Sequence, residues 1–261
     1  MIRLVALYGV GDAYLICGLV RAFEKEHSIK ACVVVKSAQV AIPQMFGVDY
    51  EASDEVVASA EGSQFFQLSH ANEIADRGFY YVHPHFVRTP VRIDQLTVKP
   101  RVSQADMYRA LLGLSPWAPL EVPFGPRRIV RGSGTLIIHT SRSWPNLPPQ
   151  FWEALAKRMD ARLVEPEWSL RELFDQCDAS EHVIGPQCGV MSVLCDALFF
   201  CRKTFAICEL SKANPYLFGL TETMPYGHCS TFAGNDHPDV RHFVVSPTNW
   251  EEAVERIAVG I

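Results

Sequence analysis

The sequence predicts an α/β protein of two Rossmann-like units facing a cleft, and three observations predict it. Short continuous apolar runs rich in β-branched residues, such as Ala31-Cys-Val-Val-Val35, suit strands covered on both faces of a parallel sheet. These runs alternate with segments of helical period, the rhythm of strand–helix–strand units with right-handed crossovers. The rhythm breaks where Gly113, Pro116, Pro119, Pro123, Gly125 and Pro126 crowd together, and then restarts. A chain of 261 residues admits one large domain or two of about 130 residues, and the break decides for two. We expect an N-terminal α/β unit over 1–125 and a C-terminal α/β unit over 126–261, joined near 115–133.

In the first half, Arg3 to Tyr8 reads as a buried strand ending in Gly9-Val10-Gly11-Asp12. Leu15, Ile16, Leu19, Val20 and Phe23 then recur at helical spacing, which predicts a helix from Ala13 to Phe23. A helix over Ala38 to Phe46, a short strand at Val56-Val57 and a helix over Gln104 to Leu112 follow, with residues 60–100 left coarse. In the second half, strands are expected at Thr135–His139, Arg162–Val164, His182–Ile184, Thr204–Cys208 and His242–Val245. Helices are expected over Gln150–Met159, from Ser169 to Cys177, and over Val190–Phe199. Ser169 with Glu172, and Thr248 with Glu251, have the spacing of capping boxes, the second opening a final helix to Val259.

Composition narrows the class. With 48% hydrophobic and 20% charged residues, the chain has ample apolar material for a core, which excludes disorder as its main state. The net charge of −5 leaves no basic stripe to neutralise phosphates along a duplex, so nucleic acid is excluded as the main partner. No apolar stretch approaches the roughly 20 residues of a membrane span. Most of the eight cysteines sit in apolar runs, where Cys acts as a small hydrophobe, and the first residues run into a strand without a cleavable leader. The expectation is a cytoplasmic protein with reduced thiols. No Cys-x-x-Cys occurs and His83-x-His85 has no further spaced ligands, so neither a metal nor a cofactor is expected.

In open α/β sheets ligands sit outside the carboxyl ends of the strands, and four turns there carry chemistry. In the first, Gly11 and Asp12 open the first helix. Asp12 is either a plain N-cap or a carboxylate general base for a sugar hydroxyl. The glycine pattern fails the dinucleotide fingerprint, since Tyr14 stands at its third position, and no Walker lysine is present. The second turn is His139-Thr140-Ser141-Arg142, whose guanidinium fork fits phosphate oxygens, against a surface Arg paired to an acid. In the third, Gly185 to Gly189 precede an apolar helix, so its first amides form an anion site at Gln187, Cys188, Gly189 and Val190, with Ser192 adding a hydroxyl. Cys188 has no base near it in sequence and reads as a small buried turn residue rather than a nucleophile. The fourth brings Glu165, able to accept from ribose hydroxyls, and Trp168, able to stack on a base or to fill a core.

Together these turns resemble the ADP-heptose:lipopolysaccharide heptosyltransferases, glycosyltransferase family nine, which have the GT-B fold. The segment from Tyr8 to Phe23 is similar to the family's Gly-Asp opening and following helix. His139-Thr-Ser-Arg-Ser-Trp-Pro-Asn with Phe151-Trp-Glu-Ala-Leu-Ala is similar to its strand, loop and Trp-containing helix. Ser169-Leu-Arg-Glu-Leu and His182-Val-Ile-Gly-Pro-Gln-Cys-Gly-Val-Met-Ser resemble its donor-binding stretch. The resemblance implies an inverting, metal-independent transfer of a sugar from a nucleotide-sugar donor to a glycan or lipid-linked glycan acceptor in bacterial surface polysaccharide synthesis. It implies an acceptor-side unit over 1–125 and a nucleotide-sugar-binding unit over 126–261, with Asp12 deprotonating the acceptor, Arg142 near the donor phosphates, and Gln187 to Ser192 binding the nucleotide diphosphate. Such an acceptor allows peripheral contact with the inner face of the cell membrane. Where the family has Asp-Thr-Gly-Leu-Ser-His, this chain has Gln187-Cys-Gly-Val-Met-Ser, and Ser143-Trp144-Pro145 replaces the family's lysine. These departures point to a different nucleotide sugar or a separate branch of polysaccharide-building enzymes. Two rivals stay open: a non-catalytic sugar-nucleotide-binding or assembly protein of the same fold, and a nucleotide-sugar epimerase.

Overall fold

The computed structural model describes residues 1–7, 9–57, 79–82, 104–123, 132–139, 147–165, 167–186, 188–197, 204–210, 240–246 and 248–261. The chain divides into two compact units, the first holding the described residues through Pro123 and the second those from Gly132 onward.

In the first unit β1 (Ile2–Ala6), β2 (Ala31–Val35), β3 (Tyr50–Ala52) and β4 (Phe79–Val82) form a parallel sheet in the order β3-β2-β1-β4. The β2 residues are all buried, as a continuous apolar run on a central strand requires, whereas β3 at the edge is exposed on alternate residues. Helix α1 (Val10–His27) joins β1 to β2, α2 (Ala41–Phe46) precedes β3, and α3 (Gln104–Leu111) ends the unit. Every α1 residue from Ala13 to Val20 is buried, the mark of a helix covered on more than its sheet-facing side. Part of the second cover is the segment after α3: the Glu121 N–H donates to the Gly18 carbonyl at 2.9 Å. A Cβ on Gly18 would lie 2.7 Å from Leu120 Cδ1 and 2.8 Å from the Glu121 carbonyl oxygen, so this crossing needs glycine. The described cysteines are buried, and burial pushes the Cys17 thiol up.

Three expectations for this unit are corrected. Helix α1 begins at Val10, not Ala13, with Gly9 as its N-cap. The helix expected over Ala38 to Phe46 is a 3-10 turn, Ser37–Gln39, followed by α2, because Pro43 has no N–H to give the Gln39 carbonyl and its ring crowds that position. The strand lies at Tyr50–Ala52 rather than Val56-Val57, which belong to a helical turn over 54–57. There the Ser53 hydroxyl accepts the Val56 N–H at 3.2 Å, and local capping overrides the β preference of the two valines.

The second unit is a five-stranded parallel sheet in the order β6-β5-β7-β8-β9. Its strands are β5 (Thr135–Ile137), β6 (Arg162–Leu163), β7 (His182–Pro186), β8 (Thr204–Leu210) and β9 (Val240–Val245). Helices α4 (Pro149–Met159), α5 (Leu170–Ala179), α6 (Gly189–Ala197) and α7 (Glu251–Gly260) follow β5, β6, β7 and β9. Phe151, Trp152 and Leu155 of α4 pack with Ile184 of β7 and with Val254 and Ile257 of α7. The box at α5 forms: the Ser169 hydroxyl accepts the Glu172 N–H at 3.2 Å, and the Glu172 carboxylate accepts the Ser169 N–H at 2.7 Å. Hydrogen bonds from the Ser169 side chain and then its backbone hold the Glu172 carboxyl below its usual range. The box at α7 does not form. Trp250 is its N-cap, without a side-chain bond, and the Ser246 hydroxyl instead accepts the Thr248 N–H at 3.4 Å and shares a hydrogen bond with the Thr248 hydroxyl at 3.1 Å.

Two tests follow from the packing of α1. Gly18→Ala gains about 1 kcal/mol of helix propensity but drives a methyl into backbone, so a net loss of about 1–2 kcal/mol is expected in urea unfolding. Glu24 accepts the Ala31 N–H and the Lys30 ammonium, each at 3.0 Å, tying the end of α1 to the start of β2. The Ala31 N–H, ahead of Lys30, holds its carboxyl below the ordinary value of 4.5. Its contribution is therefore present above pH 4.5 and lost as pH falls through the lower folded value. Glu24→Gln is expected to flatten the acid limb of stability against pH below 4.5 and to leave the slope at neutral pH unchanged.

Candidate functional site

Strand order locates the site in each unit. In the first sheet the chain runs from β1 outward to β2 and β3, then returns to lay β4 on the other side of β1. In the second, β6 lies on one side of β5 and β7 on the other. Ligands of open parallel sheets bind outside the carboxyl ends of the strands at such reversals. The turn into α1 leaves the reversal in the first sheet, and the turns after β5 and β7 leave the reversal in the second.

The first turn is built around Asp12. Because Gly9 is the N-cap, Asp12 stands at the third position of α1, not at the cap. Its carboxylate reaches back so that Oδ2 accepts the Gly9 N–H at 2.9 Å, an N–H shared with the Leu7 carbonyl at 3.0 Å. Its other oxygen, Oδ1, accepts the Tyr108 hydroxyl from α3. Asp12 is half-buried while Tyr108 is fully buried, so a rigid interior donor grips a carboxylate that reaches the surface. Negative charge in the first turn also lies favourably along the helix dipole. Gly11, buried beside Asp12, adds no side chain to the turn.

Sequence reasoning did not single out Tyr108. It is 96 residues from Asp12, and only the return of α3 onto α1 joins them. A trace was present in Asp106-x-Tyr108-Arg109, three polar-capable side chains in one predicted helix. All three are buried, and Asp106 and Arg109 pair at 2.7 Å. Arg109 Nε donates onward to the Ala118 carbonyl at 2.7 Å.

In the second unit, Thr140, Ser141, Arg142 and Gln187 lie outside the described residues, as does the side chain of Ser192; in the first unit the pair His83 and His85 lies outside them too. What the structure places is the frame around them. Strand β7 runs on through Gly185 and Pro186, which the sequence assigned to the turn, and α6 begins three residues later at Gly189. The Ile138 N–H donates to the Ile184 carbonyl at 2.8 Å, so the chain leaving β5 stays paired to β7 as it approaches His139. A Cβ on Gly185 would meet Met191 Sδ at 2.7 Å and Ile138 Cβ at 3.2 Å; its absence lets α6 start close against the sheet. Cys188 is buried, while Gly189 is exposed and Val190 half-buried in the first turn of α6. Glu165 is exposed and its carbonyl accepts the Trp168 N–H at 3.2 Å. The Arg162 guanidinium lies 4.6 Å from the centre of the Trp168 ring, so one face of the indole is covered. Among the described residues, no group of three or more His, Cys, Asp or Glu side chains could hold a metal ion, and no helix is long and apolar enough to cross a membrane.

No family model matches the sequence, and no curated protein matches it. Solved structures do. The Escherichia coli ADP-heptose lipopolysaccharide heptosyltransferase II aligns over 100% of this chain and 99% of its own length, at 12% identity and a TM-score of 0.54. The E. coli heptosyltransferase WaaC with ADP aligns over 99% of this chain and 98% of its own length, at 12% identity and a TM-score of 0.53. The chain spans only 57% of the length of the iron-containing dodecameric glycosyltransferase TibC of enterotoxigenic E. coli, at 13% identity over 80% of this chain and a TM-score of 0.49. The likeness to the two heptosyltransferases runs end to end, and the chain has their GT-B type α/β fold.

Proposed function

We propose that the protein is a glycosyltransferase that moves a sugar from a nucleotide-sugar donor to a glycan or lipid-linked glycan acceptor in bacterial surface polysaccharide synthesis. The observation that carries this reading is Asp12: a doubly held carboxylate at the topological reversal of the first sheet, in a chain with the fold of two heptosyltransferases. In the transfer, an acceptor hydroxyl oxygen attacks the anomeric carbon and inverts it. The hydroxyl proton passes to the Asp12 carboxylate as the new C–O bond forms. The anomeric C–O bond to the diphosphate breaks, and its electron pair leaves on the nucleoside diphosphate. The first-turn amides of α6 and the Arg142 guanidinium meet that charge, with hydrogen bonds from Thr140, Ser141, Gln187 and Ser192. Glu165 accepts from the ribose, and Trp168 stacks on the base. These groups supply the positive potential, and the transfer is metal-independent.

Asp12→Asn keeps the size of the side chain and loses the base. Transfer is expected to fall about 100-fold or more, with the urea midpoint and nucleotide affinity close to those of the parent. Turnover at the parent's rate would remove Asp12 from the mechanism. The donor is open to a direct screen, with ADP-sugars first because WaaC has been solved with ADP and with ADP-2-deoxy-2-fluoro heptose. Thermal-shift measurements with ADP, UDP and GDP and their sugars are expected to show protection by one nucleotide class. Arg142→Ala is expected to weaken that protection about tenfold in affinity, the worth of one charge-assisted phosphate contact. Unchanged affinity in this variant would withdraw the phosphate role.

A further inference from the structure

The fold holds a second group on the proposed base. We infer that Tyr108 is a positioning residue that acts through Asp12, fixing its carboxylate by Oδ1 while the Gly9 N–H fixes it by Oδ2. The inference rests on the reading of Asp12 as the general base. An aspartate has two side-chain torsions, and one bond to the backbone leaves the plane of its carboxylate adjustable. A second bond, to the other oxygen, sets that plane if its donor cannot follow. Tyr108 meets this condition. Its ring is fully buried on α3, and α3 is anchored by Arg109, which bonds Asp106 and the Ala118 carbonyl at 2.7 Å each. The Leu114 N–H closes the helix end on the Arg109 carbonyl at 2.8 Å, and the chain then crosses α1 at Gly18. The segment from α3 to Glu121 therefore holds α1 along most of its length: at Asp12, at Gly18, at Arg21, which pairs with Glu121 at 2.8 Å, and at His27, whose Nε2 lies 2.9 Å from the Leu112 carbonyl oxygen. A general base works only while its lone pair points along the path of the leaving proton, so a carboxylate fixed at both oxygens is poised where a singly held one swings.

The alternative is that Asp12 serves only as the acceptor that a buried phenol requires. Tyr108→Phe separates the two, because it keeps the ring and loses the hydroxyl. The kinetic probe is ADP-heptose, or the nucleotide sugar that the donor screen selects. Tyr108→Phe is expected to lower kcat about tenfold with KM for the nucleotide sugar unchanged, and to have no further effect in an Asp12→Asn background. Loss of activity in Asp12→Asn with none in Tyr108→Phe overturns this inference alone, as does an equal loss from Tyr108→Phe in both backgrounds. Parental turnover in Asp12→Asn overturns the assignment of the base, and this inference with it. A second measurement needs no ligand: urea unfolding of the parent, Tyr108→Phe, Asp12→Ala and the double variant. The unfolding constant of the double variant is expected to depart about fivefold from the product of the single effects. Multiplicative effects would show no coupling between the two side chains and would overturn the inference.

Discussion

Parallel pairing of strands is the constraint on which the rest of this structure depends. It places the carboxyl ends of all strands of a sheet at one edge, so each β–α turn opens on the same side. The first sheet reverses its order beside β1 and the second between β5 and β7, the kind of place where parallel sheets bind ligands. Three of the four turns singled out in the sequence leave from those places, and the fourth, with Glu165 and Trp168, follows the edge strand β6. Residue types that would be unremarkable elsewhere, an aspartate in a first turn or glycines before a helix, gain meaning from this position. The low identity to the heptosyltransferases of like fold fits the same view, because a parallel sheet is specified by apolar runs and crossovers more than by particular side chains.

Much of this was legible where the determining contacts are local. The strand Ala31–Val35 was found at its observed bounds because five consecutive apolar residues, most of them β-branched, suit a strand buried on both faces. The box of Ser169 and Glu172 was legible because both partners lie within one turn. The same spacing misled at Thr248 and Glu251, since a nearby serine, Ser246, competes for the Thr248 amide and hydroxyl. Val56 and Val57 read as a strand from their side chains alone, and the capping hydroxyl of Ser53 turned them into a helical turn. The start of α1 was placed late because its cap, Gly9, carries no side chain to announce it. Tyr108 was not legible at all, since its role depends on where α3 lands after a long excursion of the chain.

The sequence left two readings of Asp12 open, a cap and a base, and the cap that the structure shows is compatible with the base proposed above. The carboxylate does cap, but from the third helical position through the Gly9 N–H, and this aims the side chain back across the turn toward the end of β1. A residue at the N-cap itself would direct its oxygen into the helix, onto the amides of the next turn. Asp12 instead turns Oδ2 back to the Gly9 N–H and gives Oδ1 to the Tyr108 hydroxyl. The structural duty of the side chain thus sets the orientation from which the proposed base would act. Gly9 belongs to the same device: a Cβ there would come within 3.2 Å of Asp12 Oδ2, pressing on the carboxylate that its own N–H holds.

The second unit reaches a comparable result by removing side chains. Gly185 lets Met191 and Ile138 close over β7, which draws the first turn of α6 down onto the sheet beside the chain leaving β5. Amides at a helix start act on an anion only over short distances, because the helix dipole is felt mainly within the first turn. Close docking of α6 keeps Gly189, at the head of that turn, near the sheet edge and exposed there. A side chain at Gly185 large enough to lift the helix would separate those amides from the strand end. At that start Cys188 is buried directly ahead of the exposed Gly189. In one unit a carboxylate is oriented by its neighbours, and in the other the lack of a side chain lets a helix start close against its sheet.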